Sequence, residues 1–266
     1  MSEQSDREAI IREIAKKKVQ YALPGMDALP VRRDLQYHDN LLMDIYYPAP
    51  RSERRVAVVI ICMGYPDPQS GVRSFGPFTS WAQLIAASGM AAALYGSNSP
   101  VEDVDAAIAY LRANAAELGL DERRVSLLGA SGHGPVALSA LMREQGISCA
   151  ALHCGYTMDL DGATAVADAA AQYGFADACR GKSVDDLPAD VPLLFVRAGR
   201  DRGPGLNDAL DAIVTRALAR NLPLTLINHA TGEHGFECDE DSDISREIVA
   251  DVLGFLRAKL GVGRGQ

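Results

Sequence analysis

Ser131 lies in GASGHGP, residues 129–135, directly after the apolar run RVSLLGA and directly before a helical pattern that opens near Gly134. A serine hydroxyl is a weak nucleophile at neutral pH. It attacks a carbonyl when a general base takes its proton, and that base needs a carboxylate to orient it. Both partner types occur further along. Asp201 follows the apolar run PLLFVRAG in GRDRG, and His234 lies in ATGEHGFE, between the last apolar run and the last helical pattern. That order describes acyl-transfer chemistry with Ser131 as nucleophile, His234 as base and Asp201 as the acid that holds it. The N–H of Gly132 would face the developing oxyanion. A second N–H would come from Gly64 or Tyr65 in CMGYPD, which follows the run VAVVIICM.

Each of these residues has a plainer reading. A serine between a strand and a helix commonly caps the helix, but Gly129, Gly132 and Gly134 crowd the turn more than a cap requires, which favours the nucleophile. Asp201 is also a natural turn former. Its place at a strand's carboxyl end favours the acid role, with Asp208 in the next helix as the fallback. His234 sits on the expected loop, whereas His229 ends the preceding strand and reads as structural. His133, two positions from Ser131, reads as packing or as lining the substrate pocket. His153 and Cys154 end a neighbouring strand, buried for structure or bordering the site, and His38 reads as a surface residue. Tyr173 and Phe175 either line an acyl pocket or simply pack their helix. No CxxC pair occurs among the cysteines, and a metal site built from His153, Cys154, His229 and His234 is the weaker reading, so no metal is expected.

The elements that must position these groups follow from the hydrophobic period. VRRDLQYH (31–38) and LLMDIYYP (41–48) alternate and are joined by a DN turn, which predicts an antiparallel hairpin. Short, continuously apolar runs follow at 56–63, 90–96, 124–130, 149–155, 192–199 and 223–229, the pattern of parallel strands buried on both faces. Helices fill the intervals, most clearly at 99–119 (entered by Ser99 as cap and Pro100), 134–146, 206–221 and 242–260. Ligands of such sheets sit at the carboxyl ends of the strands, where Ser131, Asp201 and His234 all fall. Residues 156–190 are too long for a plain connection and predict a short helical insertion over one end of the sheet. Ile10, Ile11 and Ile14 predict an N-terminal helix over 5–20, within an extension that runs to residue 28 and serves as packing, a lid or a dimer contact. The expected class is α/β, one domain over residues 1–266, mostly parallel, with helices on both faces.

Composition bounds the partners. A chain of 266 residues, 48% apolar, can bury a large core. A net charge of −9, with scattered basic residues, gives no footprint for nucleic acid or an anionic membrane. Five cysteines at irregular spacings argue against a disulfide framework. The start MSEQSDREAI lacks the basic and apolar regions of a signal peptide, and no apolar run approaches the ~20 residues of a membrane helix, so a cytoplasmic home is expected.

The MDIYYP strand, the serine turn, the Asp201 loop and the HGF stretch, in register over about residues 30–260, make the chain resemble the α/β-hydrolase superfamily, particularly its carboxylesterase and dienelactone-hydrolase-like branches. The resemblance implies the α/β-hydrolase fold, a triad of Ser131, Asp201 and His234, and a small-molecule ester as substrate, with no cofactor. Where dienelactone hydrolases use cysteine, this chain has serine. His133 replaces the second glycine of G-x-S-x-G, and CMGY replaces the lipase-type HGGG. Two other readings stay open: a hydrolase-fold protein that binds a ligand or partner without turnover, and a hydrolase of small amides or peptides. A homodimer is also open.

Overall fold

The computed structural model describes residues 12–49, 55–67 and 71–263. All eight strands among them join one sheet: β1 (Val31–His38), β2 (Leu41–Tyr46), β3 (Val56–Ile61), β4 (Ala91–Tyr95), β5 (Leu120–Ala130), β6 (Ile147–His153), β7 (Leu193–Ala198) and β8 (Leu224–His229), in the order β1-β2-β4-β3-β5-β6-β7-β8. β1 and β2 form the expected antiparallel hairpin, and β2 runs antiparallel to β4. From β4 to β8 every neighbouring pair is parallel. β3, β4 and the stretch of β5 from Val125 carry almost only apolar residues because helices cover both of their faces, leaving no solvent side for a polar one. β5 starts at Leu120, earlier than the apolar run suggests, because Leu120 pairs with Val56 ahead of an irregularity that resumes at Val125 opposite Val58.

The helices are α1 (residues 12–16), α2 (Gly76–Ala87), α3 (Pro100–Ala113), α4 (Ala115–Leu118), α5 (Gly134–Arg143), α6 (Ala165–Tyr173), α7 (Leu206–Ala219), α8 (Phe236–Asp239) and α9 (Asp243–Lys259). Successive strand residues point to opposite faces. His153 of β6 meets Trp81 of α2, ring centroids 5.5 Å apart, while its neighbour Leu152 meets Gly134 at the start of α5. The sheet is therefore covered on both sides. The insertion expected over 156–190 contains one regular helix, α6, whose first turn is held by Asp159 accepting the N–H groups of Val166 and Ala167, both at 2.9 Å.

Three expectations need correction. The helix predicted over 99–119 breaks at Asn114, whose amide Nδ2 donates to the Tyr110 carbonyl at 2.9 Å in competition with the helix itself. Ser99 precedes Pro100 as expected, but its hydroxyl caps nothing. Buried Asp103 reaches back instead, accepting the Ser97 hydroxyl (2.9 Å) and the Asn98 and Ser99 N–H groups (2.6 and 2.7 Å). Asp103→Ala would strip three donors of their acceptor, and we expect it to cost about 2–3 kcal/mol, read as a lowered urea midpoint at unchanged slope.

The third correction is at the N-terminus. Of the helix expected over 5–20, residues 5–11 lie outside the described residues, and α1 ends at 16 rather than 20. Tertiary partners claim the rest. Val19 is buried and donates its N–H to Ser80 Oγ of α2 at 3.0 Å. Gln20 donates its N–H to the Glu237 carbonyl at 2.7 Å and its side-chain amide to the Cys238 carbonyl at 3.2 Å. Lys17 pairs with Asp239 at 2.6 Å. Residues 17–20 thus lie as a strap between α2 and α8.

Candidate active site

Ser131 stands on the turn between β5 and α5, where a single 3-10 turn, Ser131–His133, joins strand to helix. Its φ is 51°, in the left-handed region that a side chain normally avoids, so the turn holds a strained residue at its apex. Neighbouring strands hold it there. The Tyr156 N–H, past the end of β6, donates to the Ser131 carbonyl at 3.0 Å, and the Cys62 N–H, past β3, donates to Leu128 at 2.8 Å. Gly134 is needed for this close approach, because a Cβ there would overlap the Tyr156 carbonyl oxygen. The Gly132 N–H falls in the first turn of the helical stretch, where no intrahelical acceptor exists, beside the positive end of α5.

Asp201 and His234 come from the loops that follow the last two strands, β7 and β8. Asp201 lies three residues past β7, its side chain fully buried. Oδ1 accepts the Gly203 N–H at 2.7 Å, which leaves Oδ2 aimed at His234 Nδ1, 2.6 Å away. The other ring nitrogen, Nε2, is 2.8 Å from Ser131 Oγ. The two loops brace one another: the Gly199 N–H donates to the His229 carbonyl (2.8 Å) and the Arg200 N–H to the Gly232 carbonyl (2.9 Å). The three side chains named from sequence are thus brought into one line, and His234 keeps 40% of its side chain open to solvent, where a substrate can approach. Asp208 is exposed on the first turn of α7 and plays no part in this line.

Electrostatics acts in opposing directions on His234. Burial of the ring favours the neutral form, but the hydrogen bond to Asp201, that carboxylate's charge and the charge of Glu237 outweigh it, so the pKa is raised above the usual 6.5. An imidazole held this way by a buried carboxylate is a stronger base.

The loop after β3 departs from the sequence reading. Gly64 is packed onto the serine turn, where a Cβ would overlap the Gly132 carbonyl oxygen. Its N–H, expected as an oxyanion donor, instead donates to His133 Nδ1 at 2.7 Å. The Gly64 carbonyl accepts the Ala176 N–H at 2.8 Å. Tyr65 stays beside the serine, its hydroxyl end lying over Gly132. His133 is buried, with its ring edge-on to Tyr65 and Phe78, centroids 5.1 and 5.0 Å away. Burial lowers its pKa to about 4, so it is a neutral packing residue that also accepts a hydrogen bond.

One wall of the site is aromatic. Phe175, buried just past α6, stacks on Tyr156 (centroids 4.9 Å, planes 30° apart), meets Tyr65 edge-on and lies against Gly132. Phe175 therefore lies beside the serine turn, in a buried cluster with Tyr156, Val166 and Leu206, while Tyr173 is 38% exposed and near enough to Tyr156 to act on its hydroxyl. Tyr156 is a further residue of this wall, and its place just past the carboxyl end of β6 is the same signal that marks Ser131 and Asp201. Phe78 carries no such signal, because its role depends on a partner 55 residues away that no local pattern reveals.

His153 and His229 lie behind the site rather than in it. His153 is buried between Trp81 and Phe236, its Nδ1 3.5 Å from Glu237 Oε2. His229 is buried against Phe236 and reaches Glu240 at 3.2 Å. His38 lies half-open at the surface. All five cysteines are free thiols. Burial pushes Cys62, Cys149 and Cys179 up to about 12 and raises Cys154 and Cys238 as well, which disfavours a thiolate at neutral pH. Among the described residues no three His, Cys, Asp or Glu side chains are arranged to hold a metal, and no helix is long and apolar enough to cross a membrane.

No protein-family model and no curated protein sequence matches the chain. Solved structures do. A bacterial heroin esterase superposes with a TM-score of 0.70 at 17% identity, over 96% of this chain and 90% of that one. The thermophilic esterase Est2 of Thermogutta terrifontis gives 0.67 at 19% identity, over 94% and 98%. Esterase LipW of Mycobacterium marinum gives 0.67 at 15%, over 94% and 95%. At these identities the likeness is one of architecture, and with the mostly parallel eight-stranded sheet it establishes that this chain has the α/β-hydrolase fold.

Proposed function

We propose that the protein hydrolyses small carboxylic esters through an acyl-enzyme on Ser131. The observation that carries this reading is the unbroken line from Ser131 Oγ to His234 Nε2 (2.8 Å) and from His234 Nδ1 to Asp201 Oδ2 (2.6 Å), built on three strand ends. The esterase names of the structural neighbours support it. Ser131 Oγ attacks the ester carbonyl carbon as its proton passes to His234 Nε2. Asp201 stabilises the imidazolium without taking a proton. The Gly132 N–H and the positive end of α5 stabilise the oxyanion. The imidazolium then protonates the departing alcohol, leaving Ser131 acylated. A water molecule, deprotonated by His234, repeats the sequence and releases the acid.

The direct test is hydrolysis of p-nitrophenyl esters from acetate to decanoate, with fluorophosphonate labelling located by mass spectrometry. The expected result is turnover of short esters and a single adduct on Ser131. Absence of both turnover and adduct would overturn the reading. The Phe175–Tyr156–Tyr65 wall sets the acyl length, so Phe175→Ala is expected to raise decanoate over acetate, as a ratio of kcat/KM values, by about tenfold or more.

A further inference from the structure

His133 occupies a position two residues past the nucleophile, and its side chain makes a polar contact there. Its Nδ1 accepts the Gly64 N–H at 2.7 Å, and the carbonyl of the same glycine accepts the Ala176 N–H of the insertion at 2.8 Å. The loop after β3 is thereby pinned from both sides, to the serine turn and to the insertion. In a trans peptide unit the carbonyl and the following N–H point in opposite directions. Fixing the Gly64 carbonyl on Ala176 therefore also fixes the direction of the Tyr65 N–H, away from the insertion. The Tyr65 ring is in turn held edge-on by His133 and Phe175.

We propose that His133 is a positioning residue, which uses its hydrogen bond from Gly64 to set the β3 loop so that Tyr65, and not Gly64, presents the second donor to the oxyanion. The proposal rests on the esterase reading of Ser131. The chemistry of the side chain suits the task. An imidazole accepting at Nδ1 carries its proton on Nε2, and burial keeps it neutral throughout the neutral range. An aliphatic side chain would leave the Gly64 N–H buried without an acceptor, at a place where a displacement of about 1 Å costs roughly 100-fold in rate. Asparagine is the conservative replacement, because its Oδ1 stands the same number of bonds from Cα as the imidazole Nδ1. Glutamine places its oxygen one bond further out.

The experiment compares wild type with His133→Asn, His133→Gln and His133→Leu in the full chain. It reads kcat and KM on p-nitrophenyl acetate, thermal midpoints, and exchange of the Gly64 amide proton by NMR. The expected result is kcat within about threefold of wild type for Asn, a kcat loss on the order of 10- to 100-fold for Gln and Leu at nearly unchanged KM, and slow Gly64 exchange in wild type and Asn alone. If His133→Leu does not fold, the contrast between Asn and Gln decides. Equal kcat for Asn and Gln, or a Gly64 amide that exchanges fast in wild type, would overturn the proposal while leaving the esterase reading standing. A wild type that neither turns over esters nor takes a fluorophosphonate would overturn both.

Discussion

Ser131→Ala is expected to reduce kcat/KM on p-nitrophenyl acetate by about 10⁶-fold, to a residue set by binding and the oxyanion donors alone. The size follows from the loss of a covalent step. Without Oγ no acyl-enzyme forms, and a water in its place lacks the fixed 2.8 Å approach to His234 Nε2. The fold should survive, since Ser131 is only half-buried and its backbone contact with Tyr156 does not involve the side chain. Alanine also keeps the β-carbon, so the strain of the turn is nearly unchanged. Steady-state kinetics with a matched thermal melt checks this. A variant that keeps a tenth of the activity would remove Ser131 from the reaction.

Asp201→Asn is expected to lower kcat by about 10⁴-fold and to move the acid limb of the pH profile. The base must be neutral to act, so activity falls as pH drops through the His234 pKa. In wild type that pKa is raised, so the decline on acidification begins above pH 6.5, earlier than an ordinary histidine would give. The bond to Asp201 and its charge do most of the raising. Removing them leaves burial, which lowers the pKa, opposed only by Glu237. The limb of the variant should therefore lie at lower pH than that of wild type. kcat/KM measured from pH 5 to 9 on both proteins tests the sign. A wild-type midpoint at or below 6.5, or coincident limbs, would contradict the arrangement.

How much of this was legible in the sequence depended on how local each cause is. Strand β1 was read to its ends because alternation and the DN turn are properties of consecutive residues. The parallel strands were found within a few residues for the same reason, and Ser131, Asp201 and His234 followed from their places just past strand ends. What sequence missed was decided by distant partners. Helix α1 stops at 16 because Ser80 and the Glu237 carbonyl take the N–H groups of Val19 and Gln20. Ser99 looked like a cap, but Asp103, four residues on, took the task from inside the helix. The Gly64 N–H looked free because nothing in CMGYPD announces that a histidine 69 residues later will accept it. Tyr173 and Phe175 look alike in sequence, and only the fold past α6 sets Phe175 against Gly132 and leaves Tyr173 partly exposed.

The strap over residues 17–20 has a consequence for the order in which the site is assembled. Lys17 meets Asp239 across 222 positions, and Gln20 meets Cys238 across 218. Loop closure over such spans is slow compared with pairing of neighbours, and a chain emerging from the ribosome reaches residue 239 long after residue 20. The segment that carries His234 thus closes onto a platform made much earlier in synthesis. Until that late contact forms, the strands and the serine turn can be in place while the base is not, so acquisition of activity during refolding should trail recovery of secondary structure.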